Sequence, residues 1–418
     1  MKFQQKTLAT ALTLTFASLS GAAQASGFAL IEQSASGSGN AYAGGAASAE
    51  DASTIFFNPA GMSRLSGKQL TVAGHALKLK ADFADQGSTP TPTVPAGSGT
   101  ADAGGWAFVP AGHFVSEITP DLHAGVGVFA PFGLKTEYPD GWIGRFQALK
   151  SSMETLDINP SMSYRVNDSL SIGAGVNYQT IKAELTNARL LGSGVEGMSK
   201  MSGDDAAWGY NFGVLMNLDA NSRIGVSYRS SINFKLKGNV LVTAPTGAVV
   251  ADVPVTADFK TPDIWSFSYF RSVNEQWDVM ADLTRTGWSS FQELRIVDSS
   301  GATLSLTNEN WTNTWRAALG ASYHYNPQWT ARVGIAYDQT PMTDATRTAR
   351  IPDEDRREIA VGGQYKMDKT STWDVSYAHL FVNNASIDVD LSAAPAGHLV
   401  GSYSNSVDII SLQYTHNF

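Results

Sequence analysis

From Asp204 to Leu218 the chain alternates strictly. Ala206, Trp208, Tyr210, Phe212, Val214, Met216 and Leu218 share one parity, and Ala207, Gly209, Asn211, Gly213 and Asn217 share the other. Successive strand side chains point to opposite faces, so this segment reads as a strand with one apolar face and one small or polar face. The pattern recurs at Leu156–Tyr164, Leu170–Tyr178, Trp315–Tyr325 and Trp329–Tyr337. A soluble β-sandwich also alternates, but it would not place Trp or Tyr at both ends of so many apolar stripes. Such ends match the aromatic girdles of a transmembrane barrel.

Composition agrees. Only 16% of the 418 residues are charged, below the ~25% of soluble chains. There are 39 glycines and 10% aromatics. Past the N-terminus no run approaches the ~20 apolar residues of a membrane helix. The formal charge of −9, with no Lys/Arg cluster, argues against nucleic acid. The absence of cysteine excludes a disulfide scaffold and a Cys-based metal site. The expected fold is all-β, a transmembrane antiparallel β-barrel.

The first segment reads as an export leader. Lys2 and Lys6 precede a short apolar run, Leu8 to Leu19, and Ala23-Gln24-Ala25 is a small-x-small cleavage site before Ser26. Farther on, short polar turns fall at Glu117–Asp121, Val166–Ser169, Asp219–Arg223, Val273–Gln276, Asn326–Gln328 and Asp368–Thr372. Between them lie long connections at 83–105, 131–150, 187–205, 238–258, 286–310, 339–356 and 383–405. Six short turns alternating with seven long loops predict about fourteen strands, with short turns toward the periplasm and long loops outside. The C-terminal stripe Ile410, Leu412, Tyr414, His416, Phe418 ends in an aromatic residue, as the assembly signal of bacterial outer-membrane barrels does.

Residues 26–67 do not alternate. They are rich in Ala, Gly and Ser, nearly uncharged, and carry Phe28, Ile31, Tyr42, Ile55, Phe56 and Phe57. A flexible linker is seldom this apolar. A compact plug in the lumen accounts for both features. The expected organisation is a leader over 1–25, a plug over 26–67 and a barrel over 68–418.

Several segments resemble the long-chain fatty acid transporter family, FadL, including its aromatic-hydrocarbon branch. In the plug they are Ser26-Gly27-Phe28, Gly39-Asn40-Ala41-Tyr42-Ala43-Gly44, Ala49-Glu50-Asp51-Ala52 and Asn58-Pro59-Ala60-Gly61-Met62. In the barrel they are Ala130-Pro131-Phe132-Gly133-Leu134, Tyr323 to Thr330, and Arg350 to Arg356 with its Ile-Pro-Asp core. The resemblance runs from Ser26 to Phe418. It implies a lumen closed by an N-terminal hatch, with Asn58, Pro59, Ala60 and Gly61 as a hatch motif. It also implies lateral exit of the ligand where the third strand kinks. Gly125, Gly127, Pro131, Phe132 and Gly133 are the expected kink residues. Glycine permits close approach of the hatch and a break in the ladder, and proline lacks the ladder donor.

A greasy ligand needs a capture surface and a dry pocket. The third long loop offers Leu190, Leu191, Val195, Met198 and Met201, and the fourth Val240, Leu241, Val242, Val249 and Val250. The resemblance makes these two loops a capture groove and brings Phe28 to an interior pocket. A carboxylate ligand would want a cation. The inward candidates are Arg316, Arg332, Lys182, Arg223 and Arg229, each of which could instead pair with Asp157, Asp278, Asp282 or Asp338 on the wall. Arg350 and Asp353, in the matched segment, are the preferred lumen cluster beside Arg316. Leu185 and Thr312 stand where the family often carries basic residues, so the chain departs from the pattern there.

No G-x-S-x-G, P-loop or H-E-x-x-H occurs, and the seven histidines never fall at metal-ligand spacing. An enzyme, a metal and a cofactor are therefore not expected. A general porin would have an open, charged channel without a plug. The expected function is passive uptake of long-chain fatty acids across the bacterial outer membrane, with aromatic or other small hydrocarbons as the alternative. The expected partners are the hydrophobic ligand, outer-membrane lipid and lipopolysaccharide, and the barrel assembly machinery, with the protein itself a monomer.

Overall fold

A computed structural model of the chain describes residues 27–192 and 194–418. The expected leader, 1–25, and Ser26 lie outside the described residues. The sheet closes on itself as fourteen antiparallel staves. The first six are β1 (Lys68–Asp85), β2 (Gly105–Thr119), β3 (Leu122–Phe129, resuming as Gly133–Glu137), β4 (Lys150–Asn167), β5 (Leu170–Gly192) and β6 (Val195–Asn217). Four interrupted staves follow. They are β7 (Ser222–Arg229, Asn233–Thr243), β8 (Val249–Lys260, Ile264–Ser272), β9 (Trp277–Thr286, Glu293–Asp298) and β10 (Thr303–Asn308, Thr314–His324). The last are β11 (Trp329–Asp338), β12 (Arg356–Lys366), β13 (Ser371–Val382, Ala385–Asp390) and β14 (His398–Asn417). β14 pairs with β1 from Asn417↔Gln69 to Gly401↔Asp85, which leaves the barrel without a free edge.

The alternating stripes face outward. Trp208, Tyr210, Phe212, Val214 and Met216 on β6 and Leu218 just past it are all exposed, while Asn211 is buried inside. Aromatic pairs bound the apolar band. Near the short turns Trp277–Tyr323, Trp329–Tyr365 and Trp373–Tyr414 have centroids 4.8, 4.5 and 4.8 Å apart. At the opposite margin Tyr178–Trp208 and Tyr228–Trp265 lie at 5.0 and 4.7 Å. Rings at these depths sit in the headgroup region, where an apolar body and a polar rim are both solvated.

Four of the expected long loops are largely paired strand. β5 and β6 each run 23 residues and stay paired to Gly192↔Val195, with one register shift between Leu190 and Gly192. β7 and β8 pair out to Thr243↔Val249, β9 and β10 pair over Glu293↔Asn308, and β13 and β14 pair over Asp390↔His398. Crossing a bilayer takes only ~9–11 residues. Above it no face meets lipid, so the apolar alternation lapses, yet backbone groups still require partners and the ladder continues.

The plug fills the lumen with short elements: α1 (Ala35–Ser38), α2 (Gly45–Ser48), α3 (Thr54–Phe57) and a 3-10 turn, Pro59–Arg64. Asn58 organises it. Its Oδ1 accepts from the Ala60 amide at 3.0 Å, and its Nδ2 donates to the Ala46 and Val214 carbonyls at 2.7 and 2.9 Å. Small wall residues permit this fit. A Cβ on Gly213 would lie 1.8 Å from Asn58 Oδ1, and one on Gly173 2.4 Å from the Ala60 nitrogen. Guanidinium groups on the wall then hold plug carbonyls: Arg165 to Ser63 (2.6 Å), Arg223 to Ser48 (2.6 Å), Arg229 to Phe56 (3.2 Å) and Arg316 to Ala41 (2.9 Å). Arg332 binds Glu50 of the plug and Asp374 of the wall. Such donors satisfy the carbonyls of irregular backbone that water cannot reach.

Candidate functional site

Phe28 sits in a cage of five rings. Trp288, Trp311, Phe259, Phe291 and Phe132 lie 4.4, 5.3, 5.5, 5.7 and 6.0 Å from it between centroids. The interruptions in β9 and β10 build this cage, because Trp288, Phe291 and Trp311 all lie in the breaks and turn inward, where all three are buried. Gly27 has φ +63°, and a Cβ there would meet Trp311 at 2.8 Å and Trp288 at 2.9 Å, so only glycine fits beside the cage.

Beside Phe28 lies an almost wholly apolar cavity of about 110 Å³, bounded by Met153, Ile181, Leu185, Met201, Leu236 and Phe259 among others. Two ionisable groups reach it, Glu309 and Arg350. Burial lowers Arg350 to about 10, which leaves it cationic at neutral pH, and its Nη1 donates to Ser151 Oγ at 3.1 Å. Burial raises the Glu309 carboxyl to about 7, against the pull of the Trp311 indole and of Arg350.

The neighbouring wall has a window in its hydrogen-bond ladder, filled by the buried residues Ala130 and Phe132. β3 pairs with β2 from Leu122↔Thr119 to Val128↔Gly112 and then breaks at Ala130–Phe132. Past the break Gly133–Glu137 pairs with β4, while the facing end of β2 pairs with β1 as far as Gly105↔Leu79. The seam closes again where the Glu137 amide donates to the Ala103 carbonyl at 3.1 Å. The window is thus bounded above and below. The plug's first residues dock on its margin: Leu30 donates to the Pro131 carbonyl (2.9 Å), Gly133 to the Phe28 carbonyl (2.8 Å), and Ala29 bridges Phe132.

This geometry revises the expected kink. Gly125 and Gly127 are not in the break, since both are paired with β2 on one side and β4 on the other. Gly125 instead makes room for the plug, because a Cβ there would lie 2.7 Å from Ile55 Cδ1. Pro131, Phe132 and Gly133 are at the break itself. The expected lumen cluster is divided as well. Phe28 and Arg350 share the apolar cavity. Arg316 borders a different one and pairs with Glu358 at 2.8 Å. Asp353 borders neither: it accepts from the Gly27 amide at 3.0 Å and from Arg356 Nε at 2.9 Å, so it anchors the segment that carries Phe28.

The expected capture residues lie on the β5–β6 hairpin rather than in a free loop. Val195 and Met198 are exposed on its outer part, Leu190 and Leu191 are half-buried, and Met201 lines the Phe28 cavity. Val249 and Val250 are exposed on the adjoining hairpin, whereas Val242 is buried. Sequence reasoning missed the cage and Glu309. The signal was Trp288 and Trp311 set among Gly, Ser and Asn, positions that fit neither an aromatic belt nor a stripe.

The sequence profile of the outer membrane protein transport protein family (OMPP1/FadL/TodX) matches residues 16–418. The chain belongs to that family. It is 31% identical over 408 residues to the long-chain fatty acid transport protein of Salmonella typhi, covering 90% of this chain and 93% of that one. It is 30% identical over 418 residues to outer membrane protein P1 of Haemophilus influenzae, covering 91% and 90%. Among solved structures, a FadL homologue from Pseudomonas aeruginosa superposes with TM-score 0.86 at 26% identity, over 94% of this chain and all of that one. The Pseudomonas putida toluene transporter TodX shares the fold at TM-score 0.70 and 19% identity, over 88% and 94%. A member of this family with a closed barrel is a multi-pass protein of the bacterial outer membrane. Its family role is that of a transport channel rather than an enzyme.

Proposed function

We propose that the protein takes up long-chain fatty acids by passive diffusion that leaves the barrel sideways. The observation that carries this is the juxtaposition of an apolar cavity, a plugged axis and a bounded break in the wall's hydrogen-bond ladder at Pro131. A greasy molecule held beside Phe28 gains nothing from periplasmic water and keeps its hydrophobic stabilisation on entering the leaflet. Exposed Val195, Met198, Val249 and Val250 give the capture surface, and Met201 continues it into the cavity. Arg350 is the cation for a carboxylate. Movement of Phe28–Leu30 away from Pro131 and Gly133 is the gating step, and downhill partition supplies the driving force.

The relatives named for fatty acid transport are similar over nine-tenths of the chain, which favours this ligand. Aromatic hydrocarbons are the second reading. Leu185 favours them, because it presents an apolar wall where a second cation would suit a carboxylate. The remaining parts of the proposal are removal of residues 1–25 on export, insertion by the barrel assembly machinery, contact with lipopolysaccharide outside, and a monomeric state.

Uptake of labelled oleate and toluene by cells carrying the parent or a Phe28→Ala variant tests the proposal. Oleate uptake should fall severalfold in the variant at equal surface expression. Transport of toluene but not oleate by the parent would establish the second reading instead.

A further inference from the structure

The segment Ala29–Ile31 is a partition, and on its far side lies a second cavity of about 100 Å³. Its floor is plug, with Ile31, Phe56 and Phe57, and its polar wall carries Arg229 and Arg316. Both arginines are more than nine-tenths buried, and on both of them Nη1 has no hydrogen-bond partner among the described residues. A buried guanidinium donor left unmade is costly, and two beside one cavity form a receptor for an acceptor group. Arg229 is also held in place. Its guanidinium lies 4.8 Å from the Phe56 ring and 5.2 Å from that of Phe129, the last residue of β3 before the break. One residue of the cavity wall thus contacts the end of the strand at which the break begins.

The acids on this wall define the ligand further. Asp282 already accepts from Ser266, Ser268 and Thr284. Asp338 also faces the cavity and stays within Coulombic reach of Arg316. Arg316 pairs with Glu358, and Asp157 acts on Arg229 from the adjacent wall. A head group that suits this setting accepts from the guanidiniums and can donate to Asp338. A carboxyl group does both, and a plain hydrocarbon does neither.

We propose that this second cavity is a carboxyl-binding station between the Phe28 cavity and the window, with Arg229 and Arg316 as its donors. The assignment rests on the fatty acid reading above. The ligand's head group would pass from Arg350 to Arg229 as Phe28–Leu30 moves, while the tail follows plug side chains toward Phe129 and Pro131. Arg229 thereby gives the exit a preference for acids over hydrocarbons.

Crystals of the intact protein soaked with 2-bromopalmitate, whose bromine sits next to the carboxyl, test this by anomalous diffraction. Two bromine sites are expected in the parent, one near Arg350 and one near Arg229 and Arg316. The second should vanish in Arg229→Gln and in Ile31→Trp, which adds bulk to the cavity and keeps both arginines. The same maps report whether the plug has stayed in place. With 1-bromohexadecane only the first cavity should fill. Bromopalmitate confined to the first cavity overturns the station and leaves the fatty acid reading standing. Equal bromohexadecane density in the second cavity overturns its carboxyl selectivity. Density in neither cavity overturns both readings.

Discussion

The Gly27 amide donates to the Asp353 carboxylate at 3.0 Å across 326 positions of sequence. One carboxylate thus fixes the residue before Phe28, accepts from Thr340 Oγ1 at 3.1 Å and neutralises buried Arg356. Removing it takes an anchor from the N-terminal segment and a partner from buried Arg356 at once.

Asp353→Ala should therefore loosen the gate. Breaking one partner of a buried ion pair typically costs about 3–5 kcal/mol. Hydrogen exchange at Gly27 to Leu30 should accelerate by at least tenfold while the staves stay protected, and Asp353→Asn should lie between. Unchanged exchange in the Ala variant would show that the cage alone holds the segment.

Locking the segment should stop transport. Ala29 and Phe132 form an antiparallel bridge, whose Cα separation of roughly 4.5–5.5 Å suits a disulfide. Because the chain has no cysteine, Ala29→Cys with Phe132→Cys has no native thiol to mispair with, and non-reducing gels separate the intended bond from one between two copies. Oleate uptake should fall severalfold when the pair is oxidised and recover on reduction. Equal uptake in both states would mean that exit does not require the segment to leave Pro131.

Oleate affinity should fall as pH rises through about 7. Glu309 is buried beside Arg350 and has its carboxyl raised to about that value. Below it Glu309 is neutral and Arg350 faces the ligand unopposed; above it an anion competes for the same cation. Glu309→Gln should flatten the profile between pH 6 and 8 in a tryptophan-fluorescence titration. The sign for stability is the same, since a raised carboxyl pKa stabilises the folded state at low pH and this contribution fades as pH passes the folded value.

Gly213→Val should make the channel leak. A Cβ at Gly213 would lie 1.8 Å from Asn58 Oδ1, inside any permitted contact, so the Asn58–Pro59 turn has to move. Planar bilayers should register steady conductance from this variant, approaching that of a protein lacking residues 26–67, and little from the parent. A silent variant with normal heat-modifiable gel mobility would show that the plug tolerates the shift.

The barrel was legible in the chain because lipid imposes a simple rule on it. Each crossing must show an apolar face, so Trp208 to Leu218 declares its direction, and the short turns count the staves. The plug was legible by exclusion, as an apolar stretch without period. Other features needed tertiary structure. Hairpins beyond the bilayer have no lipid-facing side, so their outer positions carry no apolar stripe, while inner positions such as Met201 and Ile296 line the cavity. The break after Phe129 depends on Phe28–Leu30 supplying the partners that β2 gives up, a match between segments a hundred residues apart. The roles of Asp353, Arg316 and Arg229 depend on what each faces across the lumen. In sequence they are three charged residues among many, and only closure of the barrel around the plug brings Asp353 to Gly27, Arg316 to Ala41 and Arg229 to Phe56.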